Sequence, residues 1–406
     1  MSLRCAHLMA MAVLGAAVGA VAAAEPDGAS APEDQPAKKV GMKLQSASQD
    51  DDATLDVADQ RAWSAAVQAD NTGSGADGRG RAGVLLQNEG LGGQDHVASV
   101  QATTSTGQPG TARLYGAGYH IPLPASGAAL DFYGSYSNVD SGSVAAGALA
   151  LAVSGKGAVY GARYQQSLAR RGELDSSLAY AIDYKAFKNT VQLFGQQVGN
   201  DVTVHPFSVT YLGNWNWAGT QASAAVTGVR NIAGGDNGSQ ADFSRARGGA
   251  TANYNILRLA ASLSHILPRD WQARIMLKGQ YSNDALIPGE QFGAGGATSV
   301  RGFAEREIAD DIGLAANLEL YTPNLCAAHA GWNCRALSFY DSAYIKRNRE
   351  QAGELSSTAI GSVGVGLRML VSAAVNLQVD YGHVLRAGAT DNVDANRLHL
   401  RMSLSY

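Results

Sequence analysis

Apolar and polar residues alternate with a period of two along most of the chain. The pattern is clearest in the last ten residues, where one face carries Leu398, Leu400, Met402, Leu404 and Tyr406 and the other carries Arg397, His399, Arg401, Ser403 and Ser405. Segments 130–137, 178–185 and 271–281 repeat the pattern. Because successive side chains of a β-strand point to opposite faces, this period predicts an all-β protein.

Alternation alone fits both a soluble β-sandwich and a membrane β-barrel, since strands of both have one apolar face. The predicted strands are about 10 to 14 residues long, which is what a tilted strand needs to cross a bilayer. Tyrosine outnumbers phenylalanine by 16 to 8, and many tyrosines lie near strand ends, where a barrel has its aromatic girdles. These features favour the barrel.

The connections between the predicted strands alternate in length. The short ones are residues 89–93, 122–127, 169–172 and 268–270, and the long ones are 139–156, 188–201, 231–247 and 283–311. Short periplasmic turns and long outer loops are typical of bacterial outer-membrane barrels, which have an even number of strands. Counting from Arg61 to Tyr406 gives about 16 strands, so we predict a 16-stranded antiparallel transmembrane barrel over 61–406.

The N-terminal residues have the pattern of an export signal. Arg4 precedes a small, apolar stretch over residues 8–24, which ends in three alanines before Glu25. This predicts a cleaved signal peptide over residues 1–24. Residues 25–60 are polar and predict a periplasmic linker, with a short helix over 53–63 as the alternative.

Export also bears on the cysteines that remain after cleavage, Cys326 and Cys334. They are eight residues apart and could close a small loop in an oxidising compartment. Two unpaired thiols are the alternative. At the end of the chain, Tyr406 is an aromatic residue on the apolar face of the final strand. This resembles the signal read by the barrel-insertion machinery, which would place the protein in outer-membrane lipid.

Composition excludes several classes of function. Charged residues are only 16% of the chain, against about 25% in soluble domains. The net charge of −4 gives no basic excess, so we expect no nucleic-acid partner. The seven histidines after residue 24 lack metal-binding spacing, and Asp310 and Asp311 are expected to be solvated. We therefore expect no catalytic residues, no metal, no cofactor and no enzyme activity.

One long loop, residues 284–311, carries a recognisable motif. It contains Glu290-Gln-Phe-Gly-Ala-Gly-Gly and then Val300, Arg301, Gly302 and Phe303. Both segments resemble the signature of the two-partner secretion transporters, the TpsB family of haemolysin secretion/activation proteins, whose superfamily includes the barrel-insertion protein BamA. Segments 317–323 and 339–341 resemble the two strands that follow in that family. The resemblance covers the whole predicted barrel.

The resemblance implies an outer-membrane pore that exports a partner polypeptide. It also implies that the loop folds inward, with Arg301 held by Asp341 on the barrel wall, Glu319 nearby and Phe339 on the same strand as Asp341. The loop would then act as a plug, and the Arg301–Asp341 pair as its latch. The wall motif usually has glycine two residues after the aspartate, whereas this sequence has Ala343. That difference could change how closely the loop tip approaches.

Family members carry periplasmic POTRA domains that capture the exported chain, and residues 25–60 are too few for one. We therefore expect capture to fall to a separate periplasmic protein. A passive pore for small solutes and an outer-membrane assembly factor are the alternative functions.

Overall fold

The computed structural model describes residues 63–406 apart from 74–77, 92–94, 108, 110–112, 139–141, 147–148, 154–155, 189–191, 194–195, 198–200, 373 and 394. The predicted signal peptide and linker lie outside the described residues. None of the helices in this described part is long and apolar enough to cross a membrane.

Sixteen antiparallel strands in the described part of the chain form one closed barrel. In chain order they are β1 Trp63–Asp70, β2 Arg81–Leu91, β3 His96–Ser105, β4 Arg113–Leu123, β5 Ala128–Ser137, β6 Gly157–Ser167, β7 Leu174–Phe187, β8 Pro206–Trp217, β9 Thr220–Asn231, β10 Asn255–Leu267, β11 Trp271–Tyr281, β12 Ile312–Tyr321, β13 Trp332–Lys346, β14 Ser357–Val371, β15 Val375–Arg386 and β16 Asn396–Ser405. Val202–Val204 extends β8 in the same register along β7. The interruption falls at His205, immediately before Pro206, which has no N–H to donate. The predicted fold class is confirmed.

The barrel closes where the first strand meets the last. β1 and β16 pair over five residues, from Ala66 opposite Ser405 to Asp70 opposite Arg401. Backbone hydrogen bonds in both directions between Ala65 and Tyr406 continue the seam, so the terminal residue completes it. The β13–β14 pair has fifteen residue pairs, so the seam is short in comparison.

The two faces of each strand follow the alternation in the sequence. Large apolar side chains point outward and are exposed on the barrel surface, among them Val100, Phe132, Ile182, Leu257, Leu318, Val365 and Leu400. Polar side chains point into the lumen and are buried, among them Ser99, Gln101, Asp131, Asn317, Asp341 and Asp380. This is the arrangement of a barrel whose outer face contacts lipid.

Short turns lie at one rim of the barrel, which we call the short-turn rim, and long loops lie at the other. Pro124–Ser126 and Pro268–Asp270 are single 3₁₀ turns at the short-turn rim. At the same rim a disulfide joins Cys326, in the β12–β13 connection, to Cys334 near the start of β13, with the two Cα atoms 5.3 Å apart. The Asn324 side chain accepts hydrogen bonds from both cysteine N–H groups, at 3.0 and 2.9 Å, so it fixes the two ends of this small loop.

The connection from β9 to β10 is longer than the sequence predicted. The predicted end at Arg247 was wrong, because β10 begins at Asn255 and the loop includes helix α1, Gln240–Ala246. Ser239 caps α1 and accepts a hydrogen bond from the Asp242 N–H. Side chains from this loop pack into one apolar cluster instead of alternating across a strand: Phe243, Ala250, Ala252 and Tyr254, together with Leu286 and Ile287.

Candidate functional site in the barrel lumen

Residues 282–311 connect β11 to β12, and we call them the lumenal loop. The loop includes a 3₁₀ turn at Pro288–Glu290 and a small antiparallel pair, Phe292–Ala294 with Ile308–Asp310. Beyond that pair, the tip around Arg301 contacts inward-facing side chains of the wall. The loop therefore folds into the lumen.

Asp341 on β13 holds the tip through three hydrogen bonds. The Arg301 side chain donates from Nε to Oδ2 at 2.7 Å and from Nη2 to Oδ1 at 2.8 Å. The Arg301 backbone N–H also donates to Oδ2 at 3.0 Å. A two-pronged guanidinium–carboxylate contact fixes orientation as well as position. Asp341 is fully buried, so water does not compete for its oxygens.

Two further carboxylates surround the same guanidinium. Arg301 Nη1 lies 2.6 Å from Glu319 Oε1 on β12 and 3.4 Å from Asp380 Oδ1 on β15. Tyr321 donates a hydrogen bond to Glu319 at 2.7 Å, and Arg368 donates one to Asp380 at 3.0 Å. The site thus places three carboxylates around two guanidinium groups.

Arg301 is charged in this site. Burial by itself lowers its pKa, but hydrogen bonding and charge from Asp341, with the charges of Glu319 and Asp380, raise the pKa above the usual arginine range. The guanidinium carbon also lies 3.5 Å from the centre of the Phe339 ring. A cation over an aromatic face gains additional attraction.

Glycine allows the tip to approach the wall closely. Gly302 has a φ of +96°, which side-chain-bearing residues rarely adopt, and its N–H donates to His399 Nε2 on β16 at 3.0 Å. Facing it on β15 is Gly382, where an added Cβ would lie 2.7 Å from the Gly302 nitrogen. The contact between loop and wall is therefore made backbone to backbone.

Apolar residues anchor the tip on either side of Arg301. Val300 and Phe303 have no exposed surface and pack in a cluster with Ala343, Ile345 and Ile360 from the wall. The Ala343 methyl group, the departure from the resemblance noted above, packs in this cluster with the side chains of the tip.

The structure brings seven sequence-predicted residues together at the tip: Val300, Arg301, Gly302, Phe303, Glu319, Phe339 and Asp341. Tyr406 is at the seam, and Cys326 and Cys334 are at the short-turn rim.

Sequence reasoning missed Asn317, Asp380 and His399. Asn317 donates to the Ser299 carbonyl and, at 2.7 Å, to Asp341 Oδ1. Each of the three lies on the polar face of an alternating strand, which is the signal that could have marked it.

The expectation that Asp310 and Asp311 are solvated was wrong. Both are buried, and Asp311 accepts hydrogen bonds from Arg247 Nη1 at 2.5 Å, from the Leu286 N–H at 2.8 Å and from the Asn348 N–H at 2.7 Å. It joins three separate connections at the long-loop rim. Their packing against one another removes Asp311 from water, which an acidic pair in a loop sequence does not reveal.

No group of three or more histidine, cysteine, aspartate or glutamate side chains within the described ranges is arranged to hold a metal ion.

Comparison with known proteins then decides the family. The sequence profile of the haemolysin secretion/activation proteins ShlB/FhaC/HecB matches residues 52–369. The chain belongs to this family. No curated protein sequence matches it.

Solved structures show the same fold at low sequence identity. CdiB from Escherichia coli is 19% identical, with a TM-score of 0.69, over 86% of this chain and 64% of CdiB. CdiB from Acinetobacter baumannii is 15% identical, with a TM-score of 0.61, over 86% of this chain and 60% of CdiB. BamA from Haemophilus ducreyi lacking POTRA domains 1–3 is 14% identical, with a TM-score of 0.56, over 86% of this chain and 71% of that BamA chain. The chain thus spans less than two thirds of either CdiB.

Family and fold together settle the location. The chain is an outer-membrane β-barrel of the Gram-negative type, as the sequence predicted. The family consists of transporters, which agrees with the expectation of a non-enzymatic chain.

The returning limb of the lumenal loop in this family member carries a partly buried acid, Glu305. Its Oε1 accepts the Ala297 N–H at 2.8 Å, across the loop. Burial raises the pKa of Glu305 above its usual value, although the positive charges of Arg81 and Arg401 act in the opposite direction. An acid with a raised pKa destabilises the folded arrangement at neutral pH and stops doing so once it binds a proton.

We therefore expect mild acidification to strengthen docking of the loop. Docking strengthens as pH falls through the raised pKa of Glu305 towards 4.5, the usual pKa of a glutamate. The docking equilibrium constant increases tenfold for each pH unit by which docking raises the pKa of Glu305. In planar bilayers the wild-type barrel should open less often as pH decreases from 7. Glu305→Gln keeps the acceptor oxygen, so it should open rarely at pH 7 and lose this pH dependence. Glu350→Gln, at an exposed loop position, is the control; a Glu305→Gln profile that matches it would contradict the assignment.

Proposed function

We propose that the chain is an outer-membrane pore that exports a partner polypeptide, with the lumenal loop as its plug and Arg301–Asp341 as the latch. The observation that carries this proposal is a single buried guanidinium held by carboxylates from three wall strands. Burying such charges costs several kcal/mol per ion, and a closed sheet does not need them for its own stability. Their presence supports a contact that is made and broken.

The mechanism follows from where the loop lies. While Arg301 is docked, the loop occupies the lumen between strands that would otherwise line a path for an extended chain. Release moves the guanidinium from three carboxylates into water, and the same residues then recapture it. The exported chain crosses unfolded, and its folding outside draws it forward without a nucleotide.

Export requires partners at two stages. The secreted polypeptide passes through the lumen during export. Earlier, the barrel-insertion machinery places the barrel in outer-membrane lipid. The position of Tyr406 supports this step, because its backbone completes the β1–β16 seam and its side chain remains exposed.

The decisive experiment compares the surface and secreted proteins of the native host with and without this gene. We expect one large secreted protein to disappear on deletion and to return on complementation. An unchanged protein profile with reduced uptake of small solutes would indicate a passive pore instead. A general loss of other outer-membrane proteins would indicate an assembly factor.

A further inference from the structure

The lumenal loop makes a second buried ionic contact, far along the loop from Arg301. Glu290, in the 3₁₀ turn at the start of the loop, is only 1% exposed. Its Oε1 lies 2.9 Å from Lys185 Nζ, and its Oε2 lies 2.9 Å from Arg258 Nη2. Each carboxylate oxygen thus has its own cation, and both cations point inward from the barrel wall.

The neighbouring groups fix this contact in place. Gln280 on β11 donates to the Glu290 carbonyl at 3.0 Å and accepts a hydrogen bond from Arg258 Nε at 3.0 Å. The backbone at Gly289 passes so close to Phe187 that an added Cβ would lie 2.5 Å from the ring. The beginning of the loop is therefore packed against β7 and β10, at the ends of those strands that lie at the long-loop rim.

The two contacts lie on different parts of the barrel wall. Glu290 is held from β7 and β10, whereas Arg301 is held from β12, β13 and β15. The loop is therefore held by two separate groups of strands. A loop held at one place could swing aside while remaining tethered.

The charges at the two contacts have opposite signs. At Glu290 the loop supplies the anion and the wall the cations; at Arg301 the loop supplies the cation and the wall the anions. A loop docked in a shifted position would bring Arg301 towards Lys185 and Arg258, or Glu290 towards Asp341. Like-charge contacts of this kind disfavour the wrong arrangement, so the pattern specifies a single docked position.

We propose that Glu290, Lys185 and Arg258 form a second ionic anchor, and that the lumen clears only when both anchors release. These are positioning residues for the plug, and the proposal rests on the plug function proposed above. Burial by itself raises the pKa of Glu290, but the charges of Lys185 and Arg258 more than offset it and hold that pKa below its usual value. The anchor is therefore ionised at neutral pH.

The test is single-channel recording in planar bilayers, which contain no exported protein. We expect Glu290→Gln to raise the opening frequency about tenfold or more, since breaking a buried ion pair leaves its partners unpaired. Arg301→Ala alone should give a partial conductance, and Arg301→Ala with Glu290→Gln a larger one. Glu350→Gln should behave as the wild type.

A triple variant separates an ionic anchor from a merely structural residue. Lys185→Gln and Arg258→Gln, added to Glu290→Gln, remove the unpaired cations, so the triple variant should open less often than Glu290→Gln alone. If Glu290→Gln does not fold, judged by heat-modifiable gel migration, the Lys185→Gln/Arg258→Gln pair replaces it and should also open more often. Wild-type opening in the folded variants, or full conductance from Arg301→Ala alone, would overturn the second anchor. Both of these results concern channel opening in bilayers. Export is measured separately in cells, so either result would leave the proposed export function standing.

Discussion

Arg301→Ala will abolish export while the barrel still assembles, because the proposed mechanism needs recapture of the loop as well as its release. The substitution leaves Asp341, Glu319 and Asp380 buried without the guanidinium that all three face. Removing one partner of a buried ion pair typically costs about 3–5 kcal/mol, which would shift docking towards the released state by about two orders of magnitude or more. The strand pairing of the barrel does not involve Arg301, so its assembly should be retained.

The measurement is the amount of secreted partner per folded barrel, with folding followed by heat-modifiable gel migration. Arg170→Ala is the matched control, because Arg170 forms an exposed ion pair with Asp175 and such pairs contribute little. Arg301→Lys keeps the charge but loses the two-pronged contact with Asp341, so export should be intermediate. Normal export by the alanine variant would contradict the latch.

Gly382→Ala should release the same latch without removing any charge. The new Cβ would lie 2.7 Å from the Gly302 nitrogen and 2.9 Å from the Arg301 carbonyl carbon. These are backbone atoms that cannot rotate away, so the tip must move. Overpacking of this kind costs about 1–3 kcal/mol, which corresponds to a roughly fivefold to hundredfold loss of docking.

The measurement for Gly382→Ala is again channel opening, compared with export. Gly228→Ala on β9 is the control, since an added Cβ there meets no atom within 4 Å. We expect Gly228→Ala to match the wild type and Gly382→Ala to open more often and export less. A Gly382→Ala barrel that stays closed and exports normally would show that the tip does not need this close approach.

The sequence predicted the strands better than it predicted the side-chain contacts in the lumen of the barrel. The period of two identifies which residues face the lumen, whereas Asp341 and Glu319 were expected at the site because of the family resemblance. The period does not identify the height of a side chain along the barrel axis, which depends on strand tilt and register. Asp380 and His399 were missed for this reason: each faces inward, but only the register places both at the level of Arg301.

The outer connections were predicted least well. Alternation ends where the strands end, so the sequence offered no periodic signal for helix α1 or for the burial of Asp311. Both depend on three connections packing together at the long-loop rim, through groups as far apart in sequence as Arg247 and Asn348. Glu290 was visible as part of a motif, but its two cations lie on distant strands and could not be assigned to it.

Both ends of the lumenal loop continue into neighbouring strands, β11 and β12, which pair with each other along the wall. After release the loop stays attached to the pore it occupied, so redocking is a first-order event that needs no diffusional encounter. Short flexible tethers give effective concentrations in the millimolar range. Under the proposed function, a polypeptide in transit must hold its place in the lumen against a competitor that is always present at about that concentration, and the pore recloses when the end of the polypeptide has passed.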